Sequence, residues 1–109
     1  MASIDWSTEI TRAALPQAVL ALLSAGPQHG YALVEVLRGS GFPRVQGGTL
    51  YPLLRRLEGQ GLVEHRWEHD KTGPGRKVFE LTPLGVNELG RAHAAWDHMS
   101  QMLATLRTN

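Results

Sequence analysis

The sequence predicts a mainly α-helical chain carrying one small β-hairpin, and three observations lead there. Leu50, Leu53, Leu54 and Leu57 recur at i, i+3, i+4 and i+7, the spacing of a single helix face. After Gly61 the pattern shortens to two extended runs, Leu62–His69 and Val78–Leu81, around the turn-rich Asp70–Lys77. From Pro83 to about Arg107 no strong helix breaker occurs. Two helices joined by a short turn and followed by a hairpin make a winged helix-turn-helix. Residues 1–82 are expected to form that unit and 83–109 a long C-terminal dimerisation helix.

Taken in order, residues 5–25 form a first helix that is apolar nearly all round, from Trp6 and Ile10 through Leu15, Val19, Leu20 and Leu23. In so small a domain one side of it should pack on the core and the other on a second chain. Pro16 in its middle is expected to kink or interrupt it, and Gly26-Pro27 to end it. A second helix opens at His29-Gly30, and Phe42–Gln46 connects it to the leucine helix. That third helix is expected to take Thr49 as N-cap, to hold Pro52 in its first turn, and to stop at Gly61. Thr82-Pro83 reads as the start of the last helix, Thr as N-cap and Pro at the first helical position. Along that helix Leu89, Ala92, Trp96, Met99, Leu103 and Leu106 are spaced three and four apart, a seam that calls for a partner, most simply a second copy of the chain.

Composition narrows the function. With 109 residues and no cysteine, the chain can bury a core unaided, and disulfides, thiolate metal sites and cysteine nucleophiles are excluded. No apolar run approaches a membrane span and the N-terminus does not resemble a secretory signal, so a cytoplasmic location without membrane contact is expected. Residues 38–77 hold eight cationic side chains against four acidic ones, while the remainder of the chain is net −3. A basic middle between acidic ends suits a local polyanion-binding surface. No phosphate-binding glycine loop, paired carboxylate or nucleophile–base arrangement is visible, which argues against an enzyme, and no cofactor is expected. The five histidines do not cluster at ligand spacing: His65 and His69 would stand about 13 Å apart along a strand, so no metal is expected.

The side of the third helix opposite its leucines carries Gly48, Pro52 and Arg55, flanked by Tyr51 and Arg56. Small residues permit close approach, and arginine suits guanine edges and phosphates. Gln46, Gly48, Thr49, Tyr51, Pro52 and Arg55 are therefore candidates for base and backbone contact with double-stranded DNA. Lys71, Arg76 and Lys77 on the hairpin should neutralise phosphates, with Arg44 a weaker candidate of that kind. The competing reading is a winged helix for protein–protein contact without DNA binding; clustered cations argue against it.

Several strings, with their spacing, resemble the PadR family of bacterial transcriptional regulators. They are Gly26–Tyr31, Gly48–Pro52 with Leu54, Arg56, Leu57 and Glu58, then Gly61-Leu62-Val63, Gly75-Arg76-Lys77, Leu81-Thr82 and Gly85, over roughly residues 10–106. The single C-terminal helix resembles the family's short subfamily. The resemblance implies a dimeric winged-helix protein, usually a repressor, whose two third helices enter successive major grooves of a pseudopalindromic operator. Thr49, Tyr51, Arg76 and Lys77 match family positions that approach DNA, and Tyr31 matches a second-helix tyrosine that contacts backbone or packs. A continuous first helix is general in the family, so Pro16 departs from it. Trp96 matches a position at which some short members sandwich flat aromatic compounds between paired tryptophans. A small-molecule effector site is accordingly expected around Trp96, Met99, Ser100 and His93, with Gln17 and Leu20 from the first helix.

Overall fold

The computed structural model describes residues 3–69 and 73–107, arranged as four helices and a three-stranded sheet. Helix α1 spans Trp6–Ser24, strand β1 Gln28–His29, α2 Gly30–Gly39, α3 Gly47–Gly59, β2 Val63–Glu68, β3 Arg76–Leu81 and α4 Pro83–Thr105. Mainly α with a small wing is what the periodicities predict.

Helix α1 starts on Asp5, whose carboxylate accepts from the Thr8 amide at 3.1 Å and the Thr8 hydroxyl at 2.8 Å. These bonds from Thr8, with Arg44 close by, hold the Asp5 carboxyl below its usual pKa. Pro16 does not end the helix, contrary to one sequence expectation: α1 runs through it for 19 residues. Proline removes one hydrogen bond of the ladder, and the packing of Leu15, Val19, Leu20 and Leu23 into the core holds the turns on either side.

Helix α3 begins two residues earlier than Thr49. Gln46 is the N-cap, and its carbonyl accepts from the amides of Thr49 at 3.0 Å and Leu50 at 2.9 Å. Pro52 is thereby the sixth helical residue rather than one of the first turn, and it interrupts the ladder at a solvent-exposed side. The helix closes where expected: the Gly61 amide donates to the Glu58 carbonyl and the Leu62 amide to the Leu57 carbonyl, both at 3.0 Å, with Gly61 at φ 77°.

The wing holds a strand that no local pattern announced. β1, only Gln28–His29, pairs with β3 so that Gln28 faces Phe79 and His29 faces Val78, and the order is β1-β3-β2, all antiparallel. α1, α2, α3, the start of α4 and the inner face of the sheet enclose one core, in which Leu33, Leu37, Leu50, Leu54, Val19 and Val63 are fully buried.

The last helix starts as expected at Thr82-Pro83, and Thr82 does double duty. Its hydroxyl donates to the Gly61 carbonyl at 2.6 Å and accepts from the Gly85 amide at 3.0 Å, joining the end of α3 to the start of α4. Only Gly85 and Leu89 of α4 are buried. Leu89, placed in the seam by its spacing, belongs to the chain's own core, and Ala92 is half-buried. From His93 onward every described residue is exposed, and the molecule measures 63 Å along its longest axis.

Candidate nucleic-acid interface

Helix α3 is sharply two-sided. Its four leucines are buried, while Gly48, Thr49, Tyr51, Pro52, Arg55 and Arg56 are exposed, as is Gln46 at the cap. Neither Arg55 nor Arg56 forms an ion pair among the described residues, so both guanidinium groups face water. Arg44 differs: its Nη1 lies 3.4 Å from the Asp5 carboxylate and donates to the Thr8 hydroxyl at 3.2 Å, which fastens the connector before α3 to the start of α1.

Tyr51 packs as well as faces solvent. Its ring lies against Gly30 and Gly47, so close that a Cβ on Gly30 would stand 2.6 Å from the ring. The tyrosine thus spans the starts of α2 and α3, with its hydroxyl beside the first turn of α2. Tyr31, on that same turn, is 69 % exposed.

The wing is braced on α3 through the Glu58 carboxylate, which accepts from His65 Nδ1 at 2.5 Å. Arg76 and Lys77 are exposed on β3, and Lys77 Nζ sits 5.7 Å from the centre of the Trp67 ring. Trp67 and Trp6 are 55 % and 66 % exposed. Lys71 lies outside the described residues. Two residues outside the expected DNA-contact set, His29 and His69, stand with Arg76 at the root of the wing. His29 lies within the quoted Gly26–Tyr31 string, but two residues of strand carry no periodic signal of what they face.

On the far side of the chain, Gln17 Nε2 donates to His93 Nδ1 at 2.5 Å, linking α1 to α4. Beside this pair Trp96 closes a shallow groove of about 160 Å³ with Ala14, Ala18, Ala21 and Phe42. Of the residues expected around an effector, Gln17, His93 and Trp96 therefore meet. Met99 and Ser100 lie further along the exposed helix, and Leu20 points into the core at 4 % exposure, because it shares the Val19–Leu23 face of α1. No group of side chains that could hold a metal ion occurs among the described residues, and no described helix is long and apolar enough to cross a membrane.

A three-stranded wing behind a two-sided third helix places the chain among winged-helix proteins. The family model described as the transcriptional regulator PadR-like family matches residues 19–91. The transcriptional regulator Rv3488 of Mycobacterium tuberculosis is 33 % identical over 93 residues, 85 % of each chain. Among solved structures, a PadR family transcriptional regulator from Eggerthella lenta superposes with a TM-score of 0.86 at 37 % identity, over 94 % of this chain and 89 % of that one. Bacillus subtilis PadR, solved in complex with operator DNA, superposes with a TM-score of 0.63 at 26 % identity, over 71 % of this chain and 45 % of that one. The chain belongs to the PadR-like family of transcriptional regulators, which are not enzymes.

Proposed function

We propose that this chain is a sequence-specific DNA-binding repressor that works in the cytoplasm as a homodimer and is released by a small, flat, aromatic effector. One observation carries the DNA-binding reading. The face of α3 that turns from the core combines small residues, hydroxyls and the solvated Arg55, and the wing braced on that helix adds Arg76 and Lys77. Similarity to a regulator solved on its operator supports the same reading.

In this scheme Gly48 and Pro52 let the helix approach the groove, and Arg55 reaches guanine edges. Gln46, Thr49, Tyr51 and Tyr31 contact base edges or phosphate oxygens, and Arg76, Lys77 and the neighbouring Lys71 neutralise the backbone. The exposed stripe of Trp96, Met99, Leu103 and Leu106 supports pairing of two α4 helices. Two-fold pairing would set the α3 helices about 34–36 Å apart or a multiple of that.

Titrating a duplex from upstream of the chain's own gene against salt tests the scheme. Arg55→Ala should weaken binding by about tenfold per half-site, the cost of one arginine–guanine contact in each. Lys77→Ala should instead reduce the slope of log K against log salt by about 1.8, about 0.9 for each of the two protomers. Equal affinity for unrelated duplexes in the native chain would overturn the reading in favour of a protein-contact module.

This reading assigns the effector to the groove closed by Trp96. A planar aromatic cation such as acridine orange should bind the native chain and lose about tenfold in affinity in Trp96→Ala, read by dye fluorescence. Unchanged affinity would remove Trp96 from the site.

A further inference from the structure

At the root of the wing the sheet register gathers a second set of polar side chains. Glu68 stands opposite Arg76, and His29 stands opposite Val78, two residues further along β3, so all three project from one face. With His69 and Pro74 they enclose a recess of about 240 Å³. Lys77 and Trp67 belong to the other face. The recess adjoins the start of α2, since His29 immediately precedes Gly30 and the exposed Tyr31.

His29 lacks a hydrogen-bond partner at both ring nitrogens among the described residues. Nδ1 is buried and unpartnered, and Nε2 lies 4.0 Å from the Glu68 carboxylate, beyond hydrogen-bond reach. Glu68 is itself drawn towards Arg66, whose Nη2 is 3.7 Å away, and Arg66 in turn reaches Glu80 at 4.0 Å. Within the recess the charges of Arg76 and Glu68 cancel. An anion entering it meets no net attraction unless an imidazole is protonated, and it then supplies the acceptor that His29 lacks.

Resting on the DNA-binding reading above, we propose that this recess seats one backbone phosphate of duplex DNA, and that seating it takes up protons on His29 and His69. Arg76 supplies guanidinium donors whose charge Glu68 offsets, and the two histidines supply the net charge that appears only when the phosphate is present. Because proton uptake accompanies binding, operator affinity becomes a function of pH. Free phosphate shares the chemistry but lacks the flanking contacts of α2 and the wing.

The test is fluorescence anisotropy of a labelled duplex from upstream of the chain's own gene, at pH 7.5 and 6.0 and constant ionic strength. Native chain is compared with His29→Gln and His69→Gln, with circular dichroism confirming that each variant is folded. Native chain should bind about five- to tenfold tighter at pH 6.0, and either variant should hold the change to about twofold. Should His29→Gln unfold, the exposed His69→Gln decides alone. Competition by inorganic phosphate at millimolar concentration that erased the difference between native and variant chains would assign the recess to free phosphate and overturn the proposal. A pH dependence identical in native and variant chains would overturn it too, while leaving the regulator intact. Absence of selective DNA binding at both pH values would instead bring down the DNA-binding reading itself.

Discussion

Gly85→Ala is expected to cost about 3 kcal/mol of stability, lowering the thermal midpoint by roughly 12–20 °C at fixed protomer concentration. A Cβ at this position would stand 2.1 Å from the Leu62 carbonyl oxygen and 2.7 Å from Leu81 Cδ1. A side chain in the way could rotate; a backbone carbonyl held between the end of α3 and β2 cannot move without carrying both. Relief requires α4 to lift off, which would break the Thr82 bond to Gly61 and expose Leu89. Gly90 supplies the control within the same helix. Nothing lies within 4 Å of a Cβ built there, so Gly90→Ala should leave stability unchanged or raise it by about 0.5–1 kcal/mol. Equal effects of the two substitutions, followed by circular dichroism, would refute this account of the α4 junction.

The second large effect is expected on assembly. Met99→Asp combined with Leu103→Asp places two carboxylates on the apolar stripe of α4, at sites that are 51 % and 54 % exposed and outside the core. The single chain loses no packing, whereas a helix pair would have to desolvate four carboxylates. Sedimentation should show native dimers and variant monomers at micromolar concentration. Affinity for the upstream duplex should fall by about a hundredfold or more, because two linked half-site contacts become independent ones. A variant that stayed dimeric would move the interface elsewhere, with the exposed Trp6 and Ile10 of α1 as the next surface to alter.

How much of this was legible in the residues depended on the range of the interactions concerned. Thr82-Pro83 and the stop at Gly61 are local devices, and both stand where their residue types put them. The face of α3 followed from four leucines at helical spacing. Its start did not: Gly47-Gly48 has low helix propensity and reads as loop, yet the Gln46 carbonyl already collects two amides there because Leu50 and Tyr51 anchor the turn by packing. Strand β1 was illegible for a stronger reason. Its partner β3 is some fifty residues away, and two residues have no period to detect. Leu20 shows the limit of face assignment in a helix apolar nearly all round, where only the neighbours decide which side is core. Lys71 lies outside the described residues.

The strand order also steers how copies of this chain meet. β2 lies at the outer edge of the sheet, its outward backbone groups unpaired within the order β1-β3-β2. An open edge invites a strand from another molecule, the route by which sheets grow into aggregates. Here the edge is only six residues long and carries the charged side chains Glu64, Arg66 and Glu68, which discourage a second strand from pairing with it. Growth from sheet to sheet is thereby disfavoured, and the association proposed above falls to the exposed apolar stripe of α4 instead.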